Sequence, residues 1–319
     1  MWLEKNPHYW DRDHVAIRTI GVYPTEETNT LFTRYELGEL DFITEAPPLA
    51  VERLIELKEA GGRPDYYRFP VLGTYYYEFN CERAPLSDAR VRRALDLALD
   101  KKEICVKVGR ARQVAAQTLV PMDMPNYGVP NGLARDPEKA RRLLAEAGFP
   151  NGRGFPELTL LYNTSETHKF AAALAQACWK RELGIEVALN NVEWKTFLER
   201  RRDRKYDIAR AGWYGDYVDP NTFLDMYLTG GGNNNAGWSN ADYDGLIAGA
   251  AREINPTRRA ELLRRAETIL VEQELPILPI YYYVSSMLVR SHIKGFHPNL
   301  RGRILFQDLS IEGAGGGTP

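Results

Sequence analysis

Residues 158–189, LTLLYNTSETHKFAAALAQACWKRELGIEVAL, read as strand, helix, strand. Leu158–Tyr162 is a short apolar run, and polar residues from Asn163 break it. From Glu166 to Leu183, Phe170, Leu174 and Cys178 recur every four residues, the spacing of one helix face. Ile185–Leu189 is a second strand-like run.

The alternation continues in both directions. Downstream come a helix from Trp194, a strand at Tyr206–Ala211 and a helix at 221–228. Asn255-Pro256 then caps a long helix whose face is Leu262, Leu263, Ala266, Ile269 and Leu270, and Ile277–Val284 reads as a buried strand. Upstream, Asp136-Pro137 opens a helix with a cap and a proline in its first turn, and Gly148 closes it. Val91, Ala94, Leu95 and Ala98 share a helix face behind Ser87, a candidate N-cap. Before that lie strand-like runs at Tyr66–Leu72 and Thr74–Asn80, helices at 26–38 and 49–59, and a short strand at Asp41–Thr44. The pattern is that of an α/β protein with a mixed sheet. No internal repeat is found, and the Gly-rich end GAGGGTP reads as disordered.

The 319 residues allow two domains, and 44% apolar with 26% charged residues is ordinary globular composition. A net charge of −2 offers no basic stripe for nucleic acid. Cys81, Cys105 and Cys178 form no C-x-x-C pair and no metal-ligand spacing, so neither a metal nor a cofactor is expected. Residues 1–14 look like the interior of a domain, with no signal peptide. The apolar stretch Leu275–Val289 contains Pro276 and Pro279 and is too short for a membrane span. The 18 Tyr and 6 Trp are the unusual feature, since rings with polar tips line ligand clefts as well as cores.

Four segments are candidates for function. In IARAGWYGDYVDP (208–220), Arg210, Trp213 and Asp216 are separated by small residues that permit close backbone approach. Fully extended, Arg210 and Asp216 would stand roughly 20 Å apart, which suits the two termini of a short peptide. The alternative is a structural arginine and an aspartate capping the next helix. In NTSETHK (163–169), His168 lies in the first turn of a helix, where anions are favoured; a surface or core histidine is the plainer reading. EWKTFLERRR (193–202) is equally readable as an amphipathic helix with a solvated basic end. Of the tyrosine runs 75–77 and 281–283, strand alternation turns the middle ring of each away from its neighbours.

Taken in order, KNPHYWD, GTYYYEFN followed by LSDARVRRALDLALD, LYNTSETHK, EWKTFL, DIARAGWYGDY and LPIYYYV resemble the oligopeptide-binding proteins of bacterial peptide ABC importers, over residues 5–312. The resemblance implies a type II periplasmic-binding-protein-like fold that closes on a peptide. It implies a complete C-terminal lobe at 73–284 and an incomplete N-terminal lobe at 1–72 and 285–319. Asp216 then resembles the carboxylate that pairs with the peptide's α-amino group. Arg210 and His168 resemble the cations that meet its α-carboxylate. Trp194, Leu198, Arg201, Trp213, Asn233, Tyr283 and Tyr76 resemble residues of the cleft wall. The implied protein is an extracytoplasmic monomer that captures short peptides, hands them to a permease and performs no chemistry. A dipeptide, murein peptide, haem or metal chelate is the alternative ligand within the same family.

The sequence departs from that pattern in places. A lysine of relatives aligns with Gly109, beside Arg110, and a disulfide of some relatives aligns with Gly73 and Tyr214. The segment TEAPP (44–48) replaces one containing Asn. About two hundred residues that precede KNPHYWD in relatives are absent here, so the cleft is expected to be open on one side. A hydrolase is the rival from another class, but no G-x-S-x-G, H-E-x-x-H or phosphate loop supports it.

Overall fold

Caps and breakers delimit the helices of the computed structural model, which describes residues 1–25, 27–108 and 112–312. Gly109, Arg110 and the Gly-rich end at 313–319 lie outside the described residues. Along the chain run β1 (Trp2–Glu4), β2 (Thr19–Gly21), α1 (Thr28–Glu36), β3 (Phe42–Ile43), α2 (Pro48–Glu59), β4 (Tyr66–Phe79), α3 (Ala89–Ala98), α4 (Lys101–Lys107) and α5 (Pro137–Glu146). Then come β5 (Leu158–Asn163), α6 (Glu166–Leu183), β6 (Val187–Val192), α7 (Trp194–Arg202), β7 (Ile208–Tyr214), α8 (Asn221–Leu224), α9 (Ala241–Arg252) and α10 (Pro256–Thr268). β8 (Ile277–Val289), β9 (Ile293–Lys294) and β10 (Ser310–Ile311) complete the order.

Asp136 and Asn255 cap α5 and α10 by accepting the amides of Lys139 and Arg258, and each helix carries a proline in its first turn. Gly184 ends α6 in the left-handed region at φ 69°, where a side chain would be strained. The cap of α3 is Asp88, not Ser87: its carboxylate accepts the amide of Arg90. β4 is continuous through Gly73, where the sequence suggests a break. β6 begins at Val187, two residues later than Ile185. Residues 221–227 form one α-turn followed by a 3-10 turn.

The chain forms two compact units, Met1–Val71 with Val284–Pro319, and Leu72–Tyr283. In the first, β1 and β2 pair antiparallel, as do β9 and β10, and Phe42–Ile43 pairs with Leu288–Val289. Buried Tyr35 donates its hydroxyl to Asp65, whose carboxylate is also gripped by Arg63 through two nitrogens.

The second unit is built on strands in the order β8, β4, β7, β5, β6. β4 and β7 are antiparallel, while β7, β5 and β6 run parallel. α6 covers one face with Trp179, which is fully buried and donates Nε1–H to the Leu95 carbonyl. α7 covers the other, where Phe197 packs with Leu161, Tyr206 and Ala209. The α/β class with a mixed sheet is thus realised, with helices on both faces. Among the described residues no helix is long and apolar enough to cross a membrane.

Candidate functional site

Three parallel strands end at one edge of the second unit, because parallel strands deliver their carboxyl ends to the same side. β5 leads into Asn163–His168, β6 into Glu193–Trp194, and β7 into Gly215–Asp216. Three of the segments singled out in the sequence therefore meet at the strand ends where α/β sheets hold their ligands.

Register then sorts the side chains by face. Tyr77 pairs with Arg210 and Tyr75 with Gly212, so these point to the α6 side. Arg210 lies 5.2 Å from the Tyr75 ring centre and donates to the Tyr283 hydroxyl at 3.3 Å. The His168 ring is 5.5 Å from that of Tyr75. Tyr75 stacks on Tyr281 at 4.6 Å, and Tyr283 stacks on Tyr214 at the same distance. Arg210 is therefore a largely buried cation held by rings, with no carboxylate paired to it among the described residues. Its Nε, His168 Nδ1, Trp213 Nε1 and Asn163 Oδ1 are buried without hydrogen-bond partners among those residues. Buried polar atoms in this state call for a polar visitor or water.

Gly73 and Gly212 make the ring stack possible. A Cβ at Gly212 would come within 2.4 Å of the Tyr283 hydroxyl, and one at Gly73 within 2.8 Å of both Tyr214 and Tyr283. Gly73 and Tyr214 are register partners across β4 and β7.

Tyr76 and Arg201 lie elsewhere. Tyr76, Glu78 and Trp213 alternate onto the α7 side. Tyr76 is 1% exposed, which leaves it no open surface. Arg201 donates Nε–H to Glu78 at 2.8 Å, and Glu78 also accepts from Tyr206 and Tyr227. Trp194 and Leu198 on α7 are half-exposed, and Trp194 lies over Phe197. Asn233 is exposed in the loop before α9, beside buried Asn234.

Asp216 follows the end of β7 in a bend, so the extended-chain spacing from Arg210 is an upper bound. Its amide donates to Thr222 Oγ1, and its exposed carboxylate forms no ion pair or hydrogen bond among the described residues. Pro220 stands at the N-cap of α8, and the carboxylate that accepts the amide of its first residue, Asn221, is that of Asp219, not Asp216. Nearby Asp225 has its carboxyl pKa raised by burial and by the charge of Asp216.

Sequence reasoning missed Tyr75, Tyr281 and Tyr214 as the rings around the cation. The alternation in the tyrosine runs was the available signal, and it favours the flanking rings over the middle one.

Burial, and then Arg210, push the His168 pKa down from 6.5 to about 3. Between those values the unfolded chain binds more protons than the folded one. The contribution to stability is complete above the ordinary histidine value and is lost as pH falls through this window. Glu267, raised from 4.5 to about 7 by burial, acts in the opposite sense. We therefore expect His168→Gln to flatten the acid side of the stability curve, measured by urea unfolding at pH 7, 5.5 and 4.5. A wild-type-minus-variant difference that does not change with pH would contradict this.

Residues 1–235 match the family described as bacterial extracellular solute-binding proteins, family 5. The oligopeptide-binding protein OppA of Bacillus subtilis is 33% identical over 315 residues, covering 96% of this chain and 57% of that protein. The periplasmic oligopeptide-binding protein OppA of Salmonella typhimurium is 38% identical over 302 residues, covering 92% and 54%. A crystal structure of a periplasmic oligopeptide-binding protein from Borrelia burgdorferi superposes with a TM-score of 0.86 at 34% identity, covering 97% of this chain and 61% of that one. Haemophilus influenzae OppA, solved in complex with RPPGFSPFR, superposes at 0.85 with 32% identity, covering 97% and 61%. The chain spans about half the length of the curated relatives it matches. With a matching family profile over most of its length and relatives at this identity, the chain belongs to the bacterial extracellular solute-binding proteins, family 5.

Proposed function

We propose that the protein is the solute-binding component of an ABC importer, capturing short peptides by their termini and main chain and passing them to a permease outside the cytoplasm. Arg210, with His168 beside it, receives the α-carboxylate, and Asp216 receives the α-ammonium. Trp213, Trp194, Leu198, Asn233 and Tyr283 line the path between. Arg201 and Tyr76 support the wall from behind through the Glu78 network.

The observation that carries this reading is Arg210, a cation held among tyrosine rings with no carboxylate partner among the described residues. Such a group gains most from an anion that arrives with its own counter-charge at a distance, as a zwitterionic peptide does. Gripping the termini and the main chain gives affinity without consulting side chains. The protein acts by binding and release as a monomer and turns over nothing.

Titration calorimetry with a tripeptide, its N-acetylated form and its C-terminal amide tests the assignment. Asp216→Ala is expected to weaken the free tripeptide roughly 100-fold or more, the cost of stripping one partner from a desolvated ion pair. It should leave the N-acetylated form nearly unchanged. Equal loss for both forms, or no loss for either, removes Asp216 from this role.

A further inference from the structure

Asp216 sits on a segment with few anchors. Residues 216–218 are exposed and bent, and no strand or helix includes them. On the near side the turn is tied by the Gly215 amide to the Leu72 carbonyl at 2.8 Å and by the Asp216 amide to Thr222 Oγ1 at 3.0 Å. On the far side Arg259 reaches in from another long element, α10. Its two terminal nitrogens meet the two carboxylate oxygens of Asp219 at 2.7 and 2.8 Å. Asp219 uses the same carboxylate to accept the Asn221 amide at 2.9 Å, which starts α8. The pair is about two-thirds buried, with side-chain exposures of 31% and 29%.

The geometry points to Arg259 as a positioning residue for Asp216: a two-pronged clamp on Asp219 that fixes the turn carrying the ammonium-binding carboxylate. This deepens, and rests on, the reading of Asp216 given above.

A planar guanidinium matched to both oxygens of a carboxylate resists rotation as well as separation. It holds Asp219 in the orientation that also accepts the Asn221 amide. The Asp216 carboxylate then follows from the backbone, because three residues joined between two fixed ends have little room to reorient. A lysine in place of Arg259 would keep the charge but supply only a point contact, so the turn would regain freedom. Asp216 would then have to be ordered by the ligand, and that ordering lowers affinity for ligands with an ammonium only.

The test compares a tripeptide with its N-acetylated form, by calorimetry on the full chain. Arg259→Met and Arg259→Lys are each expected to reduce the preference for the free amine by about tenfold, as loss of a group that orients a binding residue commonly does. Affinity for the N-acetylated form should stay within twofold of wild type, which a general loss of structure would not produce. Asp219→Asn, which retains an oxygen for the Asn221 amide, should reproduce the effect. The Arg259→Met/Asp219→Asn pair should be no worse than either change alone. A preference within twofold of wild type in both the Met and Asn variants overturns the proposal, as does an equal loss for the two ligands. Asp216→Ala separates the two readings: if it leaves the preference intact, the Asp216 assignment has failed. If it abolishes the preference while the Arg259 and Asp219 variants do not, only the clamp has failed.

Discussion

Arg210→Met is expected to abolish measurable capture of a tripeptide while leaving the empty protein as stable as wild type or slightly more so. The two halves of that outcome have one cause. In the empty protein the guanidinium is withdrawn from water and faces the Tyr75 ring and the Tyr283 hydroxyl, with no carboxylate paired to it among the described residues. A cation over an aromatic face gains about 0.5–2 kcal/mol, and one hydrogen bond to a neutral hydroxyl adds on the order of 1 kcal/mol. Desolvating an ion costs several kcal/mol, so the site holds an unbalanced charge. Methionine fills similar volume and contacts the same rings without it. Once a peptide carboxylate is present the balance reverses, and removing the arginine leaves a buried anion unpaired, which costs about 3–5 kcal/mol. Calorimetry reads the first half and thermal melting without peptide the second. Retained affinity would refute the anion role. A fall of many degrees in the melting temperature of the empty protein would show that the arginine is structural.

That trade of stability for function explains why the site was partly legible in the sequence. Local patterns predicted the elements well where local chemistry decides them: Asp136-Pro137 and Asn255-Pro256 open helices, and Gly148, at φ 97°, closes one. The three segments at the ends of β5, β6 and β7 stood out because each follows a predicted strand with polar or small residues. Long-range pairing was not legible. Gly73 looked like a break between strands, yet β4 runs straight through it. The glycine is there because the rings of Tyr214 and Tyr283 occupy the space of a side chain. Nor could the pattern show which face of the sheet Arg201 would reach. Its partner Glu78 lies 123 residues earlier, and only folding brings them to 2.8 Å. Leu275 in the left-handed region, ending a π-helical turn at Ile269–Glu274, is likewise set by tertiary packing rather than local preference.

The Glu78 network yields the largest expected effect on stability. Glu78 is 0% exposed and accepts from Arg201 Nε at 2.8 Å and from the hydroxyls of Tyr227 and Tyr206 at 3.2 and 3.4 Å. Glu78→Ala removes the shared acceptor and leaves a mostly buried guanidinium without its counter-charge. A loss of about 3–5 kcal/mol follows from stripping one partner of such a pair. At about 2–4 °C per kcal/mol for a unit of this size, the melting temperature should fall on the order of 10 °C. The double change Glu78→Met/Arg201→Met should recover most of that loss, because apolar residues of similar volume replace a buried pair at little cost. The double variant also decides what Arg201 is for. If it melts near the wild-type temperature and binds a tripeptide as wild type does, Arg201 serves the fold. If it is stable but binds tenfold or more weakly, then the terminal nitrogens of a side chain still 19% exposed reach the ligand. A Glu78→Ala variant that loses less than about 1 kcal/mol would mean that solvent, not Glu78, balances the arginine, and the buried-pair account would be wrong.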